Sequence, residues 1–202
     1  MRASFDEEKL LRRASGIAAR ELRGGGEARG KRAEVFLGGL TCQGGVCRFD
    51  SVDALCPRIY ELCDSYGLTV PMLQFLCGAA LGAGEDCIVC RNPLRPAELQ
   101  HLLLPARGLA FITTGEGLRY AGKPYRRLRV DAMAEEKLTC AEKAHLRLIR
   151  RVRRALEEAV ASLARAKRGH DALEAIYRPC VDFDAVNALC ETEIARLTAY
   201  LP

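Results

Sequence analysis

Apolar positions along this chain change their spacing twice, and each change indicates a different kind of structure. Residues 5–22 place apolar side chains three and four positions apart, which predicts an amphipathic helix. Residues 23–32 are glycine-rich and basic with nothing to bury, so they are typical of a linker. From 33 to 130, short apolar runs alternate with turn residues, and the helical spacing returns after 131. The sequence therefore predicts four units: 1–22, 23–32, 33–130 and 131–202.

The central unit reads as an α/β domain. Its apolar runs predict strands at 34–37, 58–62, 86–90 and 108–113, helices at 72–81 and 96–103, and a loop over 115–129. The helix at 96–103 is favoured by a proline at its first turn. Strands that alternate with helices imply a parallel sheet covered on both faces.

The C-terminal unit is predicted to be helical. Apolar residues and two histidines alternate steps of four and three from 145 to 177, which is a heptad-like seam within a long helix over 134–177. Pro179 ends that helix, and a last helix follows over 184–199. We expect the two helices to pack as an antiparallel hairpin on the α/β domain, so the predicted fold class is a parallel α/β sheet with a C-terminal helical hairpin.

Composition favours a cytoplasmic location and indicates that most cysteines are packing residues. The charged start of the chain does not read as a signal peptide, and no apolar run approaches the roughly 18 residues needed to cross a bilayer. We therefore expect a cytoplasmic protein without membrane contact. The chain has ten cysteines, but most lie in apolar segments, where free cysteine packs as a small hydrophobic side chain.

The chain contains one Cys-x-x-Cys pair, which is a candidate metal site. Cys87 and Cys90 lie three apart on a predicted strand, so their thiols point to opposite faces. No second pair with zinc-like spacing follows, and Cys42 and Cys47 only straddle a glycine-rich turn. The sequence therefore predicts no metal site.

The segment 58–90 has the order strand, turn, helix, strand that a phosphate-binding loop requires. A P-loop carries Gly-x-x-x-x-Gly-Lys-Ser/Thr, in which backbone N–H groups and the lysine hold the phosphates and the hydroxyl binds Mg²⁺. Here Val70 stands at the lysine position and Pro71 follows it. Gly67 and Thr69 are the remaining candidates for a vestigial nucleotide site, and the carboxylate of Asp64 is expected to repel a phosphate.

The chain also resembles the C-terminal half of a family of uncharacterised bacterial ATPases with two tandem P-loop domains. The resemblance covers about residues 34–200. It rests on these segments, in order: Phe36-Leu-Gly-Gly-Leu-Thr41 with Gly44-Gly45 and Phe49-Asp50-Ser51; Arg58-Ile-Tyr60; Asn92-Pro-Leu-Arg-Pro96; 101–113; and, in the tail, Ala166-Lys167, His170-Asp171, Leu173-Glu174, Tyr177, Pro179, Asp182-Phe183 and Val186-Asn187.

This resemblance implies a P-loop NTPase-like sheet and ATP binding. The family's chemistry does not carry over, because the phosphate-binding residues have no match at 63–72, and a catalytic residue is not predicted. The expected protein is a binding or regulatory module that no longer hydrolyses nucleotide. Its partner would be another protein or a paralogous ATPase, and no cofactor is expected beyond weakly held ATP with Mg²⁺.

Basic residues leave two further functions open. Arg126 and Arg127 lie near tyrosines in the loop 115–129, and Arg150 and Arg154 lie on the basic long helix. They are candidates for phosphate contacts, either with a nucleotide or with nucleic acid. The simpler alternative is a solvated basic face opposite the apolar seam. A weak nucleotide site would instead use the Thr69 hydroxyl, the helix N-terminus and the basic loop.

Overall fold

The architecture was obtained as a computed structural model that describes residues 7–24, 28–115, 117–133 and 141–200. Its helices are α1 (Glu7–Glu21), α2 (Phe49–Leu55), α3 (Val70–Gly82), α4 (Ala141–Tyr177) and α5 (Phe183–Thr198). Its strands are β1 (Arg32–Val35), β2 (Gly38–Thr41), β3 (Gly44–Cys47), β4 (Arg58–Cys63), β5 (Cys87–Asn92), β6 (Arg95–Leu104), β7 (Leu109–Thr114) and β8 (Arg126–Arg129).

Six strands form one sheet in the order β1-β5-β6-β7-β4-β8, and β2 and β3 form a separate hairpin. β1 runs parallel to β5, and β4 runs parallel to both β7 and β8. β6 is antiparallel to both of its neighbours. Five strands therefore share one direction and β6 alone opposes it. The predicted α/β class and mostly parallel sheet are confirmed.

Apolar side chains alternate along the strands, so the sheet has a core on each face. One core is covered by α1 and α3 and includes Leu10, Leu62, Leu73, Leu76, Val89, Leu102 and Phe111. The other is covered by α2 and by the hairpin of β2 and β3, and includes Phe49, Val52, Ile59, Cys90, Leu103 and Ile112. The result is a layer of helices, a sheet, and a second layer of mixed structure.

Two elements of the central unit differ from the sequence prediction. Residues 96–103, predicted as a helix, belong to strand β6, because the apolar run 101–104 fills the middle of the sheet with burial on both faces. The predicted loop 115–129 contains β8, whose four residues include only one buried side chain, Leu128. The α2 helix and the hairpin of β2 and β3 were not predicted.

The C-terminal helices do not pack as the predicted antiparallel hairpin. α4 and α5 are present close to their predicted bounds, and residues 134–140 lie outside the described ranges. Within α5, however, no residue is buried, and Leu189 and Leu197 are 63% and 61% exposed. The described side chains of α5 therefore do not show the buried contact that a packed hairpin requires.

Among the described residues, none of the helices combines the length and apolar character needed to span a bilayer.

His101 is a buried member of β6. It is 1% exposed, its Nδ1 accepts the backbone N–H of Thr113 at 3.0 Å, and its Nε2 lies 3.9 Å from Cys47 Sγ. Burial lowers the pKa of His101 to about 3. The imidazole is therefore neutral in the folded protein at any pH near neutrality.

This histidine predicts a loss of stability in mild acid. Below its ordinary pKa of about 6.5, His101 binds a proton in the unfolded chain, whereas in the folded protein it stays neutral. The free energy of unfolding should therefore fall by about 2 kcal/mol between pH 7.5 and pH 5. Urea denaturation across that range measures the slope. The slope should be much reduced in His101→Gln and kept in His170→Gln, whose side chain is exposed in the native protein. An unchanged slope in His101→Gln would contradict the assignment.

Candidate functional site

The segment 64–69, called here the αβ-edge loop, connects the end of β4 to the start of α3. Its first residue is anchored by a hydrogen bond from the Asp64 N–H to the Thr114 carbonyl at the end of β7, at 2.7 Å. β4 and β7 are parallel, so their carboxyl ends meet here. In open α/β sheets, ligands bind in the crevice outside these carboxyl ends.

Asp64 fills the interior of the αβ-edge loop with its own carboxylate. Its Oδ2 accepts the backbone N–H of Thr69 at 2.7 Å and the Thr69 hydroxyl at 2.8 Å. Its Oδ1 accepts the backbone N–H of Tyr66 at 3.0 Å, which is an Asx-turn. Asp64 is 6% exposed and Thr69 is 2% exposed. The Asp64 carboxylate therefore occupies the N–H and hydroxyl donors of the loop that a bound phosphate would need.

A second carboxylate holds the same loop from outside. Asp131 accepts the backbone N–H of Ser65 at 2.8 Å and its hydroxyl at 3.0 Å. Three backbone N–H groups of the loop, those of residues 65, 66 and 69, thus point at aspartate side chains. Asp131 has no local sequence signal, since it lies 66 positions from Ser65 and is brought to it through the pairing of β8 with β4.

The start of α3 lacks the other parts of a phosphate site. Val70 and Pro71 form its first turn, and Thr69 occupies the N-cap without a side-chain cap hydrogen bond. The Thr69 hydroxyl is also 3.3 Å from the Thr113 hydroxyl, so this oxygen lies within a buried hydrogen-bonded group. As the sequence indicates, no lysine follows the loop. The described first turn of α3 contains no cationic side chain.

Gly67 holds the left-handed bend of the loop, with φ of +74°. A Cβ added there would lie 3.2 Å from the guanidinium of Arg95, so this arginine lies directly over the bend. Arg95 in turn pairs with Glu98 at 3.1 Å. The nearest cation to the loop is therefore partly neutralised by its own neighbour.

A cavity of about 520 Å³ opens between the αβ-edge loop, the start of β6 and α4. Its polar wall includes Asp64, Thr69 and Gln100. Its apolar wall includes Leu99 and, from the long helix, Val152 and Leu156. Its size is within the range of small-molecule sites, and among the described residues its charged lining contains two carboxylates, Asp64 and Glu98, against one arginine.

The four arginines predicted to contact phosphate do not form one cluster of free cations. Arg127 Nε donates to the buried carboxylate of Glu61 at 2.6 Å, and Arg154 pairs with Glu158 at 3.2 Å. Arg126 lies over the ring of Tyr125, 5.3 Å from its centroid. The side chain of Arg150 lies outside the described residues. Two of these arginines therefore serve ion pairs within the fold.

Glu61 is a buried charged residue that the sequence did not mark as functional. It is 5% exposed on β4, accepts Arg127 on Oε2 and accepts the Thr114 hydroxyl on Oε1 at 2.9 Å. Together with Cys63 and Tyr120 it lines a second cavity of about 350 Å³ beside the αβ-edge loop. Within an apolar strand pattern its only signal was a charge at an otherwise apolar position.

Cys87 and Cys90 are buried packing residues. Cys87 lies in the core under α1 and α3, while Cys90 lies in the opposite core, which confirms that their thiols point to opposite faces. Burial raises the pKa of Cys90 to about 12, so this thiol stays protonated. A search of the described residues found no group of three or more side chains able to hold a metal ion.

Comparison with protein-family models, with curated proteins and with solved structures found no match to this chain.

Proposed function

We propose that this protein is a binding module related to P-loop NTPases that does not hydrolyse nucleotide. Its partner is another protein, with a paralogous ATPase as the partner that the family resemblance favours. The observation that carries the proposal is the carboxylate of Asp64, which accepts the N–H groups of Tyr66 and Thr69 inside the αβ-edge loop.

The position of this loop supports the relationship to P-loop proteins. It follows a central parallel strand, precedes a buried helix, and lies at the carboxyl edge of the sheet beside β7. A P-loop occupies the same place in the order strand, loop, helix. The lysine and the free hydroxyl that would hold a phosphate and its metal are replaced at this place by Val70 and Pro71, whereas Gly67 and the helix N-terminus remain.

Electrostatics support the loss of nucleotide chemistry. A helix N-terminus attracts an anion by about 0.3–1 kcal/mol. Two negative charges about 4 Å apart repel by about 4 kcal/mol at the effective dielectric constant near a protein surface. Repulsion by the Asp64 carboxylate therefore exceeds the attraction from α3. Phosphoryl transfer also relies on a cation and a bound metal to stabilise charge, and the loop supplies neither a lysine nor a free hydroxyl.

The first expected result is that nucleotides leave the melting temperature unchanged. The reduced protein is heated with and without millimolar ATP or GTP plus Mg²⁺. A ligand at 100 times its Kd would stabilise the fold by about 2.7 kcal/mol, which shifts Tm by roughly 5–10 °C in a domain of this size. A shift of that size, or release of phosphate from ATP, would overturn the proposal.

A neutral variant of the same shape tests whether the negative charge of Asp64 excludes a phosphate from the loop. Asp64→Asn keeps the shape and one acceptor oxygen but removes the negative charge. This variant should bind inorganic pyrophosphate more tightly than the wild-type protein, because the repulsion is gone. Asp50→Asn, on the exposed start of α2, serves as the control and should not differ from wild type. Equal pyrophosphate binding by all three proteins would show that Asp64 does not exclude the anion.

A further inference from the structure

Exposed large apolar side chains are concentrated in the C-terminal part of the molecule, with eleven among residues 163–200 against seven among the described residues of 28–133. We define the C-terminal arm as residues 163–200, which comprise the second half of α4, the connection 178–182 and α5. Eleven large apolar side chains of the arm are between 38% and 80% exposed. An amphipathic helix in a stable protein normally buries such side chains against another element.

These side chains are organised into stripes. On α5, residues Phe183, Val186, Cys190, Ile194 and Leu197 fall within an arc of about 80° at 100° per residue. On α4 the arm continues the heptad-like seam through Leu163, Leu173 and Tyr177. Each stripe has the width and spacing of a helix–helix contact surface.

The charges of the two helices are opposite. Within the arm, residues 163–177 of α4 have three lysines and arginines against two aspartates and glutamates, whereas α5 with its N-cap Asp182 has four carboxylates against one arginine. The flanks of α5 are therefore electrostatically complementary to α4. Complementary charges beside an apolar seam determine which helices pair and in which orientation.

The connection between the two helices has its own local contacts, and no residue of α5 is buried by the rest of the chain. Residues Arg178–Cys180 form a 3₁₀ turn, and the Asp182 side chain caps α5 by accepting the N–H of Ala185 at 3.0 Å. The Arg178 guanidinium lies over the Phe183 ring, 5.8 Å from its centroid. The two complementary stripes are therefore fixed on one chain without covering each other.

The exposed area of the arm is large enough for a stable association. Seven of the eleven lie in the two stripes, and at about half exposure they present on the order of 600 Å² of apolar surface, which is comparable to the roughly 65% apolar share of an 800 Å² interface face. A stable interface needs about 800 Å² from each partner, while the largest apolar patch on a typical monomer is about 300–600 Å².

We propose that the arm pairs with the arm of a second copy of this chain. In this pair α5 of each copy lies along the α4 seam of the other, so that both apolar stripes are buried and acidic α5 faces basic α4. The contact is isologous, because each copy offers one α4 seam and one α5 stripe. This inference is independent of nucleotide binding and adds a self-association function to the proposed binding module.

Sedimentation equilibrium of the full chain at micromolar concentrations tests the pairing. The expected mass is twice the 22.2 kDa of one chain. Ile194→Lys places a charge in the centre of the α5 stripe and should weaken the dimer at least 100-fold. Thr192→Lys is the matched control, since residue 192 lies on the opposite side of α5 and its hydroxyl bonds back to the Ala188 carbonyl. It should leave the dimer intact.

Circular dichroism and thermal unfolding of both variants establish that they fold. Loss of the dimer in Ile194→Lys alone, with the helical signal kept, supports the pairing. A wild-type protein that stays monomeric at about 100 μM overturns it, and so does an α5 that folds back on its own chain. A dimer that survives Ile194→Lys, or is lost equally in both variants, also overturns it because the interface then lies elsewhere.

Discussion

Replacing Glu21 with alanine is expected to lower the free energy of unfolding by about 3 kcal/mol. The Glu21 side chain is 5% exposed and accepts the Tyr60 hydroxyl at 2.5 Å, Arg58 at 2.8 Å and Arg20 at 3.2 Å. Its removal leaves the fully buried Tyr60 hydroxyl without this acceptor. It also leaves the guanidinium groups of Arg20 and Arg58 without their carboxylate partner. We expect the low end of the range for a broken buried pair, because both arginines are partly exposed.

Glu8→Ala on the same helix provides the control. Glu8 pairs with Arg12 at 3.8 Å with both side chains largely exposed, so its loss should cost at most about 0.5 kcal/mol. Urea denaturation monitored by circular dichroism measures both variants. Equal losses in the two variants would mean that the Glu21 cluster does not hold α1 onto the sheet.

The contribution of Glu21 should also depend on pH. Burial alone raises the pKa of this carboxyl, but the hydrogen bonds from Tyr60, Arg20 and Arg58 together outweigh it, so the pKa of Glu21 lies below its ordinary value of 4.5. A carboxylate with a lowered folded-state pKa stabilises the protein fully above its unfolded pKa and loses that effect as pH falls through the folded value. The difference between wild type and Glu21→Ala should therefore shrink only below about pH 4.5.

Asp64→Ala is expected to cost a similar amount, about 3 kcal/mol. The substitution removes a charged acceptor from three hydrogen bonds, each worth about 1.5–3 kcal/mol to a charged group in isolation, and leaves the buried N–H and hydroxyl of Thr69 without it. Water that enters the widened loop would recover part of the loss. The free energy of unfolding, together with amide exchange at residues 66 and 69, measures the effect.

Two comparisons sharpen this test. Asp64→Asn retains one acceptor and should cost about half as much as the alanine variant. Asp50→Ala removes an exposed aspartate that pairs only with exposed Arg48 in the native protein, and should cost at most about 0.5 kcal/mol. If Asp64→Ala is no more destabilising than Asp50→Ala, the carboxylate is not the group that organises the αβ-edge loop.

The sequence predicted those elements whose apolar pattern is strong and local. β4, β5, β7 and α3 were found because each is a mainly apolar run bounded by turn residues, as buried α/β elements are. Periodicity alone could not decide between helix and strand at 96–103, where an apolar run follows a proline. The edge strand β8 has a single buried residue, so its conformation is determined by pairing with β4 rather than by its own sequence.

The candidate site was predicted in part for the same reason. The missing lysine and the repulsive role assigned to Asp64 could be read directly, because they depend on positions within one short loop. Asp131 and Arg95 reach the loop from distant positions, and local sequence does not encode such contacts. Whether Gly67 and Thr69 once held a nucleotide stays a prediction, as does the family resemblance from which it follows.

The single reversed strand has a consequence for how the chain folds. β5, β6 and β7 occupy consecutive stretches within 28 residues, from 87 to 114, and pair only with antiparallel neighbours inside that stretch. Closing these short connections costs little chain entropy, whereas β1 and β4 join through parallel pairings to β5 and β7 some 50 residues away. We expect the three-stranded meander to form early, with β4 and its αβ-edge loop added afterwards. The candidate site would then be among the last parts of the sheet to become ordered.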